Sequence, residues 1–180
     1  MKNTGIVRKI DNLGRVVIPA EIRKVMFIRE GDPLKIYTGE LGEVMFKKYS
    51  PLGELRHFAG MYAETLHQTS GFAVIVCDRD MVIAAAGAPK KELLERRVSD
   101  ALKGHMERRG VFADTGDGSK SLMPVDGMEY RVVTVATVIV SGDVYGCVAL
   151  LSNGDAAHVT ETEIKLVSTA AGFLAKTMEE

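Results

Sequence analysis

Hydrophobic positions change their spacing near residue 50. Before it, short apolar runs at Val7, Ile10, Val16 to Ile18, Leu34 to Tyr37 and Val44 to Phe46 are punctuated by Gly5, Gly14, Gly31, Gly39 and Gly42, which reads as short β-strands joined by turns. One helix interrupts them. Pro19 suits a first helical position because its missing N–H would be unpaired there, and Ile22, Val25 and Met26 then fall on one helical face that ends before Gly31.

Beyond Ser50 the pattern predicts a second domain over 51–180, following a first over 1–50. Ser50 can cap a helix with Pro51 in its first turn, and Leu52, Leu55, Ala59, Tyr62 and Leu66 then recur at alternating steps of three and four. The far end repeats this: Thr160-Glu161-Thr162-Glu163 is a capping box, followed by Ile164, Val167, Ala171, Leu174 and Met178 in the same register. Two narrow seams of this kind are expected to pack as a helical bundle between protomers and so to form an oligomer interface; covering the domain's own sheet is the alternative reading. Between them lie strand signals at 72–78 and 81–86, a helix at 89–109, a glycine-rich link, and strands at 130–140 and 144–152. Arg79-Asp80 and Ser141-Gly142-Asp143 are short enough for hairpin turns. The predicted fold class is α+β, with an antiparallel sheet and flanking helices.

Charge separates the two parts more sharply than the total suggests. Residues 1–50 carry ten Lys and Arg against six Asp and Glu, a balance of +4 in a chain whose formal total is −1, so the remainder stands at −5. Duplex DNA is a dense line of negative charge, and a basic end on an acidic protein reads as its binding end. Fifty residues bury too little surface to be stable alone, and this segment has no cysteine or metal motif, so a partner chain is expected to complete it.

Other chemistry is sparse. Cys77 and Cys147 lie in separate apolar runs without metal spacing and read as buried reduced thiols. His57, His67, His105 and His158 form no metal pair. The segment Gly116-Asp117-Gly118-Ser119-Lys120-Ser121 lacks Walker spacing and a leading strand. Arg96-Arg97 and Arg108-Arg109 sit among Glu92, Glu95 and Glu107, as on a solvated mixed-charge face. No nucleophile elbow or acid/base pair stands out, so neither enzyme activity nor a cofactor is expected. No apolar run approaches membrane-spanning length and no secretory signal opens the chain, which makes the cytoplasm the expected compartment.

The run Thr4-Gly5-Ile6-Val7-Arg8-Lys9-Ile10-Asp11, continuing Leu13-Gly14-Arg15-Val16-Val17-Ile18-Pro19 and then Glu21-Ile22-Arg23, closely resembles the AbrB-type transition-state regulators. With Gly31-Asp32-Pro33-Leu34-Lys35-Ile36 and Lys47-Lys48-Tyr49-Ser50-Pro51 leading into a folded domain, the resemblance extends over essentially the whole chain. It implies an N-terminal swapped-hairpin β-barrel made by two interleaved chains, followed by a GAF-like domain, with assembly to a homotetramer. The family's DNA-contacting positions fall on Arg8, Arg15, Arg23 and Lys24, with Lys9 adjacent; Lys24 stands where arginine is common and offers a point charge without the planar fork. These cations are not interleaved with aromatics, which favours duplex over single-stranded DNA.

The implied function is a transcriptional regulator, both activator and repressor, of genes late in spore formation. An antitoxin, in which the same barrel carries a short toxin-binding tail, is the alternative. A GAF-like domain also suggests a small effector, with a pocket expected at the sheet face near Cys77, Ala85 and Thr134 under the loop around Phe112; an ordinary filled core is the competing reading.

Overall fold

In the computed structural model of the chain, residues 5–114, 122–153 and 159–179 are described. They form two compact units, divided between Tyr49 and Ser50. The first contains α1 (Ala20–Met26), β1 (Leu34–Thr38) and β2 (Val44–Lys48), the two strands pairing antiparallel from Leu34 opposite Lys48 to Thr38 opposite Val44. The expected strands at Val7, Ile10 and Val16 to Ile18 do not form in the single chain: these residues are the arms of a turn closed at Asp11 and Arg15. A strand exists only through the ladder it shares, and no partner strand reaches these arms among the described residues.

The described residues of this unit form no core of their own. Among the described residues, Pro19 is its one buried residue, and of nineteen exposed large hydrophobic residues fifteen lie between Ile6 and Phe46. Val7 is 85% exposed and Leu41 91%. A two-stranded hairpin and one short helix with these surfaces in water are marginal at best.

The second unit is built on a five-stranded antiparallel sheet in the order β4-β3-β7-β6-β5, from β3 (Ala73–Asp78), β4 (Val82–Ala86), β5 (Val111–Ala113), β6 (Arg131–Val140) and β7 (Asp143–Ser152). Alternate residues feed two cores. Val74, Val76, Val148 and Leu150 point to one face, under α2 (Pro51–Glu54), α3 (Arg56–Ser70) and α6 (Glu161–Glu179). Ile75, Cys77, Cys147 and Ala149 point to the other, against α4 (Lys90–Leu93), α5 (Asp100–Glu107) and the segment carrying Leu122, Val125 and Met128.

Local chemistry sets the element ends. The Ser50 hydroxyl accepts from the Gly53 N–H at 3.0 Å to start α2, and the Glu163 carboxylate accepts the Thr160 N–H at 2.8 Å to start α6. Glu163 also accepts from the Thr160 hydroxyl, and that bond, followed by the one from the Thr160 N–H, holds the Glu163 carboxyl below its usual range. Ser141 and Gly142, both with positive φ, make the two-residue turn of the β6–β7 hairpin, Val140 pairing with Asp143.

Three expectations are corrected. The helix expected over 89–109 is broken: α4 stops at Leu93, Glu95 turns the chain at φ 62°, and 96–98 run beside β4, where the Val82 N–H donates to the Arg96 carbonyl at 2.9 Å and the Glu95 N–H to the Val82 carbonyl at 3.0 Å. Residues 111–113, expected within a link, are the edge strand β5. The two apolar seams serve the chain's own core rather than a second copy: Leu52, Ala59, Leu66, Val167, Ala171 and Leu174 are each at most 4% exposed and pack on the sheet and on one another. They have no surface left for a partner, whereas Leu55, Tyr62, Ile164 and Met178 stay half-buried.

Candidate nucleic-acid interface

The basic residues expected to meet DNA are carried by two local structures of the first unit. Arg8 and Lys9 precede a tight turn and Arg15 ends it. The Asp11 N–H donates to the Arg15 carbonyl and the Gly14 N–H to the Asp11 carbonyl, each at 3.0 Å, with Gly14 at φ +76°, where a side chain would be strained. The Asp11 carboxylate fills the turn: Oδ1 accepts the N–H of Leu13 at 2.9 Å and of Arg15 at 2.8 Å, and Oδ2 accepts the Arg15 guanidinium Nε at 2.8 Å. Bonding to the N–H and then to the guanidinium of Arg15 lowers the Asp11 pKa below its usual value.

Arg23 and Lys24 lie in the last turn of α1. That helix ends with Phe27 at φ 53°, the Phe27 N–H meeting the Lys24 carbonyl and the Ile28 N–H the Arg23 carbonyl, a Schellman-type finish without glycine. Lys48 on β2 fixes this end, its Nζ donating to the Phe27 carbonyl at 2.9 Å and pairing with Asp32 Oδ2 at 2.9 Å. Asp32 in turn accepts the Arg29 N–H at 2.8 Å. The hairpin therefore sets where the helix carries its two cations.

All five cations are exposed, and Arg15 is the one of the five with an ion pair among the described residues. Exposed positive charge with little internal neutralisation is what a polyanion partner requires. Sequence reasoning located the cations but missed Asp11 and the Lys48–Asp32 bridge; an aspartate two residues before Leu13 and three before Gly14 is the turn signal that was available.

Comparison with known proteins fits this division. Residues 54–179 match the family model described as stage V sporulation protein T C-terminal, transcription factor, and residues 7–51 match the model described as antidote-toxin recognition MazE, bacterial antitoxin. The chain is 45% identical over 182 residues to stage V sporulation protein T of Bacillus subtilis, covering 100% of both. The chain belongs to the stage V sporulation protein T family. It is thus a DNA-binding transcriptional regulator. Over 51 residues, 28% of this chain and 52% of the other, it is also 55% identical to the transition state regulatory protein AbrB of B. subtilis.

The second unit has the GAF-type fold within this family. Its similarity to the GAF domain of PixJ from Thermosynechococcus elongatus has a TM-score of 0.55 at 16% identity, covering 73% of this chain and 89% of that one. A free methionine-R-sulfoxide reductase from Thermoplasma acidophilum aligns with a TM-score of 0.53 at 14% identity, covering 71% and 95%.

The pocket expected in this unit is filled by protein. Cys77 is 0% exposed, Ala85 4% and Thr134 0%; Thr134 Oγ1 donates to the Phe112 carbonyl at 2.8 Å, and Phe112 packs on the same core. Cys77 and Cys147 face each other across β3 and β7 as buried free thiols, and burial, then Cys147, pushes the Cys77 thiol up in pKa. None of the four expected residues lines the open clefts of about 310 Å³ beside Arg96, Arg97 and Asp126 or about 250 Å³ between Arg109, Thr137 and Ser168. Arg96 itself donates to the Asp126 carbonyl at 2.8 Å. Of the histidines, His67 Nδ1 lies 2.7 Å from the Phe72 carbonyl and His105 Nε2 lies 3.2 Å from that of Gly110, with burial lowering the His105 pKa. His158 and the segment Gly116 to Ser121 fall outside the described residues. Among the described residues no helix is long and apolar enough to cross a membrane.

Proposed function

We propose that two copies of the N-terminal unit interleave into one β-barrel and present Arg8, Lys9, Arg15, Arg23 and Lys24 from each copy to duplex DNA, regulating genes late in spore formation in the cytoplasm as activator and repressor. The observation that carries this is the coincidence, within the N-terminal unit, of five exposed cations with exposed hydrophobic residues that form no core among the described residues. A second copy supplies strand partners for the 5–18 arms and covers Val7, Val17 and Ile36, which water otherwise reaches. Phosphate contacts would then set register, with arginines reaching base edges.

Titration of the full-length protein against a promoter duplex across a salt series tests the reading. With five cations in each of two chains, the slope of log K against log salt is expected at roughly −5 to −9, about −0.9 for each phosphate neutralised. Binding that is absent or independent of salt overturns it.

Assembly beyond the dimer is assigned to the outer face of the GAF-type unit. Phe173 on α6 is 47% exposed, its ring stacked on Tyr62 and tilted against Phe58 of α3, with both centroids 5.7 Å away; Met61, on the same helix α3, is 49% exposed. An aromatic patch of this kind is suited to a second copy of itself. Phe173→Glu is expected to lower the light-scattering mass from tetramer to dimer while the sheet stays folded; a folded variant that remains tetrameric removes this face from the interface.

A further inference from the structure

Among the cations proposed to meet DNA stands an acid that electrostatics alone would exclude. Asp11 lies between Lys9 and Arg15, where a negative charge repels phosphate, yet its carboxylate makes three hydrogen bonds, two to backbone N–H groups and one to the Arg15 guanidinium. The bond to Arg15 uses Nε. A guanidinium has five N–H donors in a rigid plane, so engaging Nε fixes that plane and leaves the two terminal nitrogens as a fork directed away from the carboxylate. Free arginine side chains lose about 2 kcal/mol of rotamer entropy when a contact immobilises them. Here the turn has met part of that cost before DNA arrives. The side chain of Arg15 remains 70% exposed, so the pairing orients it without withdrawing it.

We propose that Asp11 is a positioning residue for DNA recognition: it holds the Arg15 fork in the orientation that pairs bidentately with an acceptor pair on DNA, a guanine edge in the major groove. The inference rests on the reading that Arg15 faces duplex DNA. Its consequence runs against simple charge counting. Removing an acid from a DNA-binding surface strengthens non-specific binding, whereas loss of a pre-oriented fork weakens the specific complex, so the ratio of the two is the informative quantity.

Asp11→Asn separates them, because the amide oxygen still accepts the Leu13 and Arg15 N–H bonds that shape the turn but withdraws the charge from Nε. The probes are a duplex selected by the wild-type protein from a random-sequence pool and poly(dI-dC) as unrelated competitor. Affinity for the selected duplex should fall about tenfold or more, with poly(dI-dC) affinity unchanged or raised. In the Arg15→Ala background the same substitution should have no effect on the selected duplex. Equal gains on both DNAs overturn the proposal, as does an undiminished effect of Asp11→Asn when Arg15 is absent. If instead Arg15→Ala alone leaves selected-duplex affinity and salt slope at wild-type values, it is the placement of Arg15 that fails. One measurement needs no variant: the Arg15 Nε–H of the wild-type protein should exchange with water more slowly than those of Arg8 and Arg23, and equal rates refute the fixed fork whether or not Asp11→Asn folds.

Discussion

Arg15→Ala is expected to weaken binding of a promoter duplex by roughly 30-fold to 10⁴-fold. A well-placed arginine is worth about 1–3 kcal/mol, a dimer loses two, and each 1.4 kcal/mol is a factor of about ten. The salt series then says what the side chain touches. If it neutralises phosphate, the slope becomes shallower by about one unit per chain; if it reads a base edge, affinity falls on the preferred sequence while the slope holds. The variant should fold normally, because the side chain is 70% exposed and its one ion pair is a surface pair. The turn's backbone bonds, and the Asp11 contacts to the Leu13 and Arg15 N–H groups, do not involve the arginine side chain. Unchanged affinity and slope in a folded Arg15→Ala protein remove this residue from the interface.

Gly146→Ala is expected to cost the GAF-type unit about 3 kcal/mol or more, at the upper end for overpacked sites. A Cβ at this position would lie 1.9 Å from the Cys77 carbonyl oxygen, 2.7 Å from Leu52 Cδ2 and 3.0 Å from Asp78 Cα. The leucine methyl can move. The carbonyl and Cα cannot, because they belong to β3, which pairs with β7 at Asp78 opposite Gly146. Since β7 lies in the middle of the sheet, with β6 on its other side, relief requires breaking a central ladder. In calorimetry of the full chain, the transition of this unit should fall by ~10 °C, taking about 3 °C per kcal/mol for a domain of this size. Gly172→Ala is the control: nothing lies within 4 Å of its Cβ and the residue is inside α6, so a small gain is expected. If the two substitutions shift the transition alike, the close approach at Gly146 is not what holds the strands.

Cap chemistry and hairpin turns were legible in the sequence because their causes are local. Ser50-Pro51, Thr160 to Glu163 and Ser141-Gly142 each fix their own backbone through side chains or conformations a few residues away. The breaks between α4 and α5 were not legible. Helical spacing from 89 to 109 competes with backbone bonds from β4 at Val82, and only the arrived neighbour tips that balance toward an extended run. The seams at Leu52 to Leu66 and Ile164 to Met178 illustrate the same limit: spacing specifies that one face must be covered, and leaves open whether a sheet or another chain covers it. The sheet won for six of the ten positions, since α3 and α6 lie side by side across it.

For the DNA-facing surface the division is similar. Residue identity alone determined that the positive charge collects before residue 50 and that this segment lacks the means to fold alone, because both follow from composition and length. Tertiary structure decided how the charges are held. A carboxylate at Asp11 reaches Arg15 only once the turn closes, and Lys48 steadies the end of α1 only after β2 pairs with β1. It also decided that the sheet face at Cys77 and Thr134 is filled, and that Gly146 admits no side chain. Contacts between residues distant in sequence exist only after the chain has packed, and no periodicity or motif encodes the distance between two strands.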